Sequence, residues 1–264
     1  MRIAALQMHA IAGDGEANLQ RIAAAAVDAA GGGAKLLIVP ELAVTGYGAG
    51  DAAFTRLASP ATGDVAARLG AIARDNGIAI VAGFAEREGA LTYNSALFTD
   101  GIGTNAVYRK SHLYGDYERD VFQPGTPASV MVELGGVRLG MLICYDVEFP
   151  ENVRRLALAG ADLVVVPTAL PKGSSGTFIA NHMIQVRAFE NQVFVAYINH
   201  CGADDRFTYA GLSRIAAPDG KLLAEAPAEG ETLLFAEIRP GDYATSRAEN
   251  TYLVDLGRPD RQAC

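Results

Sequence analysis

Cysteine is scarce in this sequence of 264 residues, and its three cysteines lie far apart. Cys144, Cys201 and Cys264 are odd in number and form no Cys-x-x-Cys pair. Disulfide frameworks and structural zinc sites need several cysteines at short spacings. The sequence therefore predicts neither, and the pattern is typical of a protein from a reducing compartment.

Positive charge and long hydrophobic runs are also lacking. Lys and Arg number 22 against 30 Asp and Glu, the net charge is −8, and no basic run occurs. Nucleic acids and anionic membranes bind concentrated positive surfaces, so we expect neither as a partner. No stretch approaches the roughly 20 apolar residues of a membrane span. The first ten residues lack the features of a signal peptide, so we expect a soluble, cytoplasmic protein.

Spacings that hold metal ions or dinucleotides are missing as well. The four histidines show no His-x-x-x-His spacing and no nearby acidic cluster, so no metal site is predicted. Residues 101–106 loosely match a dinucleotide-binding fingerprint but lie between two predicted strands, which favours a hairpin turn. We predict that no cofactor is required. The histidines are His9, His112, His182 and His200.

Short apolar runs alternate with helical patterns along the chain, which is 50% hydrophobic. Runs such as 163–166 have no polar face and are typical of strands buried on both sides. The alternation indicates an α/β protein, and adjacent strand pairs favour a mixed sheet or a two-sheet sandwich with outer helices. Because no linker interrupts the chain, we expect one domain over 1–264, with a C-terminal tail from about 240. Predicted strands cover 2–8, 35–39, 78–84, 93–99, 105–110, 128–134, 137–143, 162–166, 193–198, 209–216, 221–226 and 231–238; predicted helices cover 16–30, 61–75, 148–159 and 176–191.

Three apolar strands end in a residue with reactive chemistry. Glu41 follows Leu-Leu-Ile-Val-Pro, Lys110 follows Ala-Val-Tyr-Arg, and Cys144 follows Leu-Gly-Met-Leu-Ile. In α/β sheets the carboxyl ends of strands are where ligand crevices open, so the three side chains could converge.

Such a trio can cleave a carbonyl compound. A cysteine thiol, with a pKa of about 8.5, becomes a strong nucleophile only when its proton is removed, and a carboxylate such as Glu41 can serve as the base. Attack on an amide carbonyl builds negative charge on oxygen, which the Lys110 ammonium and the backbone N–H of Tyr145 can stabilise.

These three segments belong to a series of motifs that runs through nearly the whole chain. Together the motifs resemble the nitrilase superfamily of carbon–nitrogen hydrolases, in which a Glu–Lys–Cys triad occurs in this order. The resemblance extends from residue 2 to about 250. The motifs are 40–47, 108–113, 144–151, 187–191, and Gly211-x-Ser213 with 218–220.

The resemblance implies a fold, a set of roles and an assembly. It implies an α-β-β-α sandwich in which Cys144 is the nucleophile, Glu41 is the base, and Lys110 with the Tyr145 N–H stabilises the oxyanion. It also implies a second acidic residue at Glu118, which could orient the substrate nitrogen or hold Lys110. Relatives associate through helices that correspond to 148–159 and 176–191, so a homodimer or larger homo-oligomer is expected.

Four further features concern the walls of the crevice. Tyr47 and Tyr117 are candidate substrate-binding residues that could instead pack. Glu148 is a third candidate, although a carboxylate at the start of a helix also stabilises the helix dipole. The Gly-Ser-Ser-Gly segment at 173–176 is predicted to be a flexible loop at the crevice rim.

The segment after Cys144 is similar to the branch of the superfamily that acts on aliphatic and ω-amino amides. We therefore predict an amidase that converts a small carboxamide to a carboxylic acid and ammonia. A nitrilase or an N-carbamoyl-amine hydrolase remains an alternative, because the same triad serves those substrates. Alternatives of other kinds are a non-catalytic binding subunit and a redox-sensing thiol. His200 and Cys201 depart from the commoner Asn-Arg-x-Gly form, which affects the substrate prediction only.

Overall fold

The computed structural model describes residues 1–256 and contains two six-stranded sheets. Both sheets mix parallel and antiparallel neighbours. The first sheet has the order β12-β1-β2-β3-β4-β5 and the second β11-β10-β9-β8-β7-β6. The strands are β1 Arg2–Gln7, β2 Leu36–Ile38, β3 Ala79–Glu88, β4 Leu91–Thr99, β5 Asn105–Arg109, β6 Met131–Leu134, β7 Val137–Met141, β8 Leu163–Thr168, β9 Phe194–Asn199, β10 Arg214–Ala216, β11 Leu222–Glu225 and β12 Thr232–Glu237.

Helices cover the outer faces of the two sheets. The α-helices are α1 Gly15–Gly31, α2 Asp51–Leu57, α3 Asp64–Asn76, α4 Gly115–Arg119, α5 Pro150–Leu158, α6 Ser174–Phe178, α7 Ile184–Asn191, α8 Ala244–Glu249 and α9 Tyr252–Leu256. Helices α1 and α3 pack on the first sheet and α7 packs on the second, where Leu156 of α5 also lies against Gly140 of β7. The predicted α-β-β-α sandwich is therefore confirmed. Within residues 1–256, no helix is both long and apolar enough to cross a bilayer.

The alternating side chains of the inner strands explain why the layers stack. In β1, Ile3 and Ala5 belong to the core between the sheets, whereas Ala4 joins the core beneath α1 and α3. Successive side chains of a strand point to opposite faces, so an apolar run without a polar face fills both cores. All residues of β8 are buried, as the sequence predicted.

Several predicted elements need correction. The strand predicted at 209–216 begins only at Arg214, because Gly211 and Leu212 have positive φ angles of 61° and 56° that interrupt an extended chain. The helix predicted at 176–191 is divided into α6, a π-helical turn at Ile179–Met183, and α7. The predicted flexible loop at 173–176 is instead largely the first turn of α6.

Two other predictions concern the chain's turns and its end. Residues 100–104 connect the antiparallel strands β4 and β5, which confirms the hairpin turn. The predicted tail from about 240 contains a 3₁₀ turn at Pro240–Tyr243 followed by α8 and α9. Its last eight residues, 257–264, with Cys264, lie outside the described part of the chain.

Strand directions decide where the reactive residues lie. In the first sheet β2 and β5 run the same way, since β2 is parallel to β3, and β4 is antiparallel to both β3 and β5. In the second sheet β7, β8 and β9 are parallel neighbours. Glu41 and Lys110 therefore follow strands that end at one edge of the first sheet, and Cys144 follows a strand of the second.

Candidate active site

The chain turns sharply after β2, and this turn carries Glu41. Leu42 has a φ of 48°, a left-handed conformation that side chains adopt at an energetic cost. The turn lies directly against β3, where a Cβ atom on Gly83 would be 2.2 Å from the backbone nitrogen of Leu42. The Nε2–H of His200 donates to the carbonyl oxygen of Glu41 at 2.7 Å. Glycine in one sheet and histidine from the other thus fix the turn.

Lys110 lies between two carboxylates. Its Nζ donates to Glu41 Oε1 at 2.7 Å and to Glu118 Oε1 at 2.6 Å, and all three side chains are fully buried. Glu118 lies on α4, and it also accepts hydrogen bonds from the Tyr47 hydroxyl at 2.8 Å and the Tyr114 backbone N–H at 2.9 Å. Of the two roles considered for Glu118, the structure supports holding Lys110.

This buried cluster has more negative than positive groups, which shifts its proton equilibria. Burial, with a smaller contribution from the charge of Glu118, raises the pKa of Glu41 to about 7 against the lowering effect of Lys110. Burial lowers the pKa of Lys110, but the charges of Glu118 and Glu41 outweigh it and hold that pKa well above its ordinary value. The lysine therefore stays an ammonium, while Glu41 can accept a proton near neutral pH.

Cys144 begins a 3₁₀ turn over Cys144–Glu148, which we call the cysteine turn. Its φ of 44° is again left-handed, a strained conformation that is frequent at functional sites. Burial and the charge of Glu41 raise the pKa of the thiol well above its ordinary value, although Lys110 lowers it. The thiol thus keeps its proton until a base removes it. The N–H of Tyr145, in the first turn, has no partner within the helix.

A buried carboxylate joins the cysteine turn to the end of β5. Asp146 accepts hydrogen bonds from the Tyr108 hydroxyl at 2.9 Å, the Ser111 hydroxyl at 2.8 Å and the His112 backbone N–H at 2.9 Å. Because Tyr108 and Ser111 flank Lys110 in the chain, Asp146 fixes the position of the cysteine relative to the lysine.

Arg187 of α7 supports the same turn from the other side. Its guanidinium donates to the carbonyl oxygens of Val147 at 2.9 Å and Glu148 at 2.7 Å, and it forms an ion pair with Glu190 at 3.0 Å. A planar guanidinium can satisfy two carbonyls in fixed geometry, so the helix holds the turn rigidly.

Cys144 opens onto a cavity of about 470 Å³. Tyr145 and Glu148 line it, and so do Ser174 and Gly176 of α6, which places the 173–176 segment at the rim as predicted. Burial raises the pKa of Glu148 to about 7, while Lys110 and Arg187 lower it. The other lining residues are Tyr114, Ala169, Leu170, Pro171, Lys172, Gly173, Ser175 and Ile179.

Two predicted substrate-binding residues do not line this cavity. Tyr47 is buried and donates to Glu118, so it supports the lysine cluster rather than the cavity wall. Tyr117 donates to the carbonyl oxygen of Tyr47 at 2.8 Å and packs edge-on against Phe207. Packing, the other role that the sequence left open, is what the structure shows for Tyr117.

The sequence reasoning missed three polar residues of the site: Asn94, Asp146 and His200. Each is almost fully buried and hydrogen-bonded to a segment that carries Glu41, Lys110 or Cys144. Asn94 is a polar residue in an apolar strand, which is a usable signal because buried polar side chains need partners. Within the part of the chain that is described, no three His, Cys, Asp or Glu side chains are grouped to hold a metal ion.

Comparison with known proteins places this geometry in a family. The carbon-nitrogen hydrolase family matches residues 2–248. A protein from Pseudomonas protegens named "Hydrolase in pqqF 5'region" is 44% identical, over 98% of this chain and 90% of its own length. An (R)-stereoselective amidase from a Pseudomonas species is 35% identical, over 97% and 91%. The chain belongs to the carbon-nitrogen hydrolase family, within the nitrilase superfamily.

Solved structures agree with this assignment. The structure of a variant amidase from Nesterenkonia sp. AN1 is 36% identical, covers 95% of this chain and 99% of its own, and has a TM-score of 0.79. It records the Michael addition of acrylamide at that enzyme's active-site cysteine. The present protein is accordingly a hydrolase of amide bonds, an amidase of the nitrilase superfamily with a cysteine nucleophile.

Proposed function

We propose that this amidase hydrolyses small aliphatic carboxamides, including ω-amino amides, to carboxylic acids and ammonia through a thioester on Cys144. One observation carries the proposal. The Lys110 ammonium bonds both Glu41 and Glu118 within 2.7 Å, and the cysteine whose thiol pKa these three charges shift opens onto a cavity. A base, a cation and a nucleophile therefore act on one another beside space for a substrate.

In the first half-reaction Glu41 is the base. It removes the thiol proton as the sulfur of Cys144 bonds to the amide carbon, and negative charge develops on the carbonyl oxygen. Lys110 uses two of its three N–H donors on the carboxylates, so the third, with the Tyr145 N–H, stabilises that charge. Glu41 then returns the proton to the amide nitrogen, the carbon–nitrogen bond breaks, and ammonia leaves.

The second half-reaction releases the acid. Glu41 takes a proton from a water molecule, whose oxygen attacks the thioester carbon, and the same donors stabilise the new oxyanion. The carbon–sulfur bond breaks, the sulfur regains its proton from Glu41, and the carboxylic acid departs. Because Glu41 is a carboxylate at the start and at the end, no other acid or base is needed.

The cavity supports the choice of substrate. Apolar and aromatic side chains such as Leu170, Ile179 and Tyr114 suit an aliphatic chain, and Glu148 places a carboxyl group on the wall. Above about pH 7 this group is ionised, so it should favour a terminal ammonium over a terminal carboxylate. A set of neutral, cationic and anionic primary amides of equal length tests this, and Glu148→Gln should remove the preference for the cation.

Substitution of the nucleophile tests the chemistry. Cys144→Ala should abolish ammonia release from every amide and leave the circular dichroism spectrum unchanged. Cys201→Ala is the matched control, because Cys201 is also buried and free but does not line the cavity. Turnover by Cys144→Ala would refute the proposed nucleophile, whereas a wild-type protein that binds amides without releasing ammonia would favour a binding role. Parallel assays with a nitrile and an N-carbamoyl amine of the same chain length test the alternative substrates.

We further propose that the protein self-associates through α5 and α7 and works in a reducing, cytoplasmic setting. Leu158 and Val186 are half or more exposed on these helices, and Phe178 is similarly exposed on the neighbouring α6. Apolar side chains clustered on a surface are typical of interfaces. Light scattering of the purified protein and of Leu158→Glu tests this: a wild-type monomer would contradict the proposal.

A further inference from the structure

The carboxylate of Glu41 is hydrogen-bonded through only one of its oxygens. Oε1 accepts hydrogen bonds from Asn94 Nδ2 and Lys110 Nζ, each at 2.7 Å. Oε2 is buried and has no partner. Nearly all buried polar atoms in proteins are paired, and an unpaired acceptor is costly to the fold. Oε2 is therefore free to receive a proton during the reaction.

Asn94 faces Glu41 with its amide nitrogen, and its side-chain oxygen is buried without a hydrogen-bond partner. Asn94 is 1% exposed in β4, and its backbone carbonyl oxygen accepts a hydrogen bond from the backbone N–H of Lys110 at 2.8 Å. The side chain reaches Glu41 with its donor end, because its acceptor end would meet the carboxylate with like charge. One residue thus positions the main chain of the lysine and the side chain of the base.

We propose that Asn94 is a positioning residue that determines which oxygen of Glu41 acts as the base. With two donors on Oε1, one of them charged, Oε2 is the more basic oxygen and takes the thiol proton of Cys144. This inference rests on the base role proposed above for Glu41. Burial raises the pKa of Glu41 most strongly, and the hydrogen bond from Asn94 is one of the contacts that lower it.

Three variants separate this role from simple packing. Asn94→Ala removes the donor but keeps every charge of the site, so kcat should fall about 10- to 100-fold with little change in KM. The acidic limb of the pH–rate profile should move up by about one pH unit. Asn94→Ser removes less volume and should shift the limb in the same direction. Ser95→Ala is the control, since Ser95 is equally buried in β4 but donates to Glu86 Oε2 at 2.6 Å.

Each outcome decides the matter. An acidic limb that moves in the Asn94 variants and stays in Ser95→Ala supports the proposal. An unchanged limb in Asn94→Ala, or an equal shift in Ser95→Ala, overturns it. Failure of both Asn94 variants to fold, while Ser95→Ala folds, would assign Asn94 to the fold alone and also overturn it. Cys144→Ala, assayed in parallel, reports separately on the proposed function, since its retained turnover would refute the nucleophile whatever Asn94 does.

Discussion

Replacing Glu118 by Gln removes one of the two carboxylates bound to Lys110 and leaves the other. The oxygens of Glu118 and Glu41 that contact Nζ lie about 5 Å apart or less, because both touch the same nitrogen at 2.6 and 2.7 Å. At an effective dielectric constant of about 20, two charges at that distance repel by about 3 kcal/mol. That energy corresponds to about 2 pKa units. The pKa of Glu41 should therefore fall from about 7 towards about 5.

The measurement is kcat/KM for amide hydrolysis between pH 4.5 and 9. The acidic limb of the wild-type profile should lie near the pKa of Glu41, about 7, because the base must be ionised to take the thiol proton. In Glu118→Gln the same Coulomb energy should move this limb down by about one to two pH units. A lower kcat is also expected, since Lys110 loses a charged partner. Should turnover be too slow to follow, the pH dependence of Cys144 alkylation by iodoacetamide gives the same limb.

Tyr47→Phe provides the control. It removes a hydrogen bond to Glu118 at 2.8 Å but keeps both carboxylates and the lysine. The limb should stay within a few tenths of a pH unit of the wild-type value, as the charges are unchanged. An unchanged or upward-shifted limb in Glu118→Gln would refute the electrostatic reasoning, and an equal downward shift in Tyr47→Phe would assign the effect to lost contacts.

Three further predictions concern stability. Burial lowers the pKa of His200 to about 4, so between pH 6.5 and 4 the unfolded chain binds the proton more tightly than the folded chain, and stability falls as pH falls. The free energy of unfolding should therefore drop by about 2 kcal/mol by pH 5, as measured by urea unfolding. This drop should be smaller in His200→Gln. Arg187→Ala leaves two carbonyls of the cysteine turn unpaired, so the free energy of unfolding should drop by about 2–4 kcal/mol and kcat should fall at least about tenfold. A kcat equal to that of the wild type would contradict the rigid support inferred for the turn. Gly83→Ala places a Cβ atom 2.2 Å from the backbone nitrogen of Leu42, so it should lower the free energy of unfolding by about 3 kcal/mol or more and abolish activity. Gly70→Ala in α3, where the nearest atom is 3.6 Å away, should instead raise stability by about 0.5–1 kcal/mol, and equal effects of the two substitutions would contradict the packing argument.

The sequence predicted the positions of Glu41, Lys110 and Cys144 at strand ends because each ends an apolar run, a local signal that needs no knowledge of the rest of the chain. The mixture of crossovers and hairpins predicted either a mixed sheet or a two-sheet sandwich, and the resemblance to the nitrilase superfamily implied the α-β-β-α sandwich that the structure shows. Pairing between distant strands, such as β1 with β12, has no local signal, so the sequence could not assign strands to one sheet or the other.

The features that the sequence could not predict depend on contacts between distant segments of the chain. Tyr117 packs because Phe207, far along the chain, lies against it. The structural role of Asp146 depends on Ser111 and His112, which follow a strand of the other sheet. In the sequence Asp146 is recognisable only as part of the motif that begins with Cys144. Predicted elements failed where backbone conformation changed within a run of suitable residues, as at Leu212.

The division of the reactive groups between two sheets has a consequence for how the molecule loses its activity. Glu41 and Lys110 follow strands of one sheet and Cys144 follows a strand of the other, and the hydrogen bond from Tyr108 to Asp146 crosses the gap between the two sheets. If heat or denaturant let the layers slide apart while every strand kept its neighbours, spectroscopic strand content would persist although catalysis had stopped. Catalytic activity therefore reports whether the two sheets remain packed against each other. It is sensitive to displacements that leave each sheet intact.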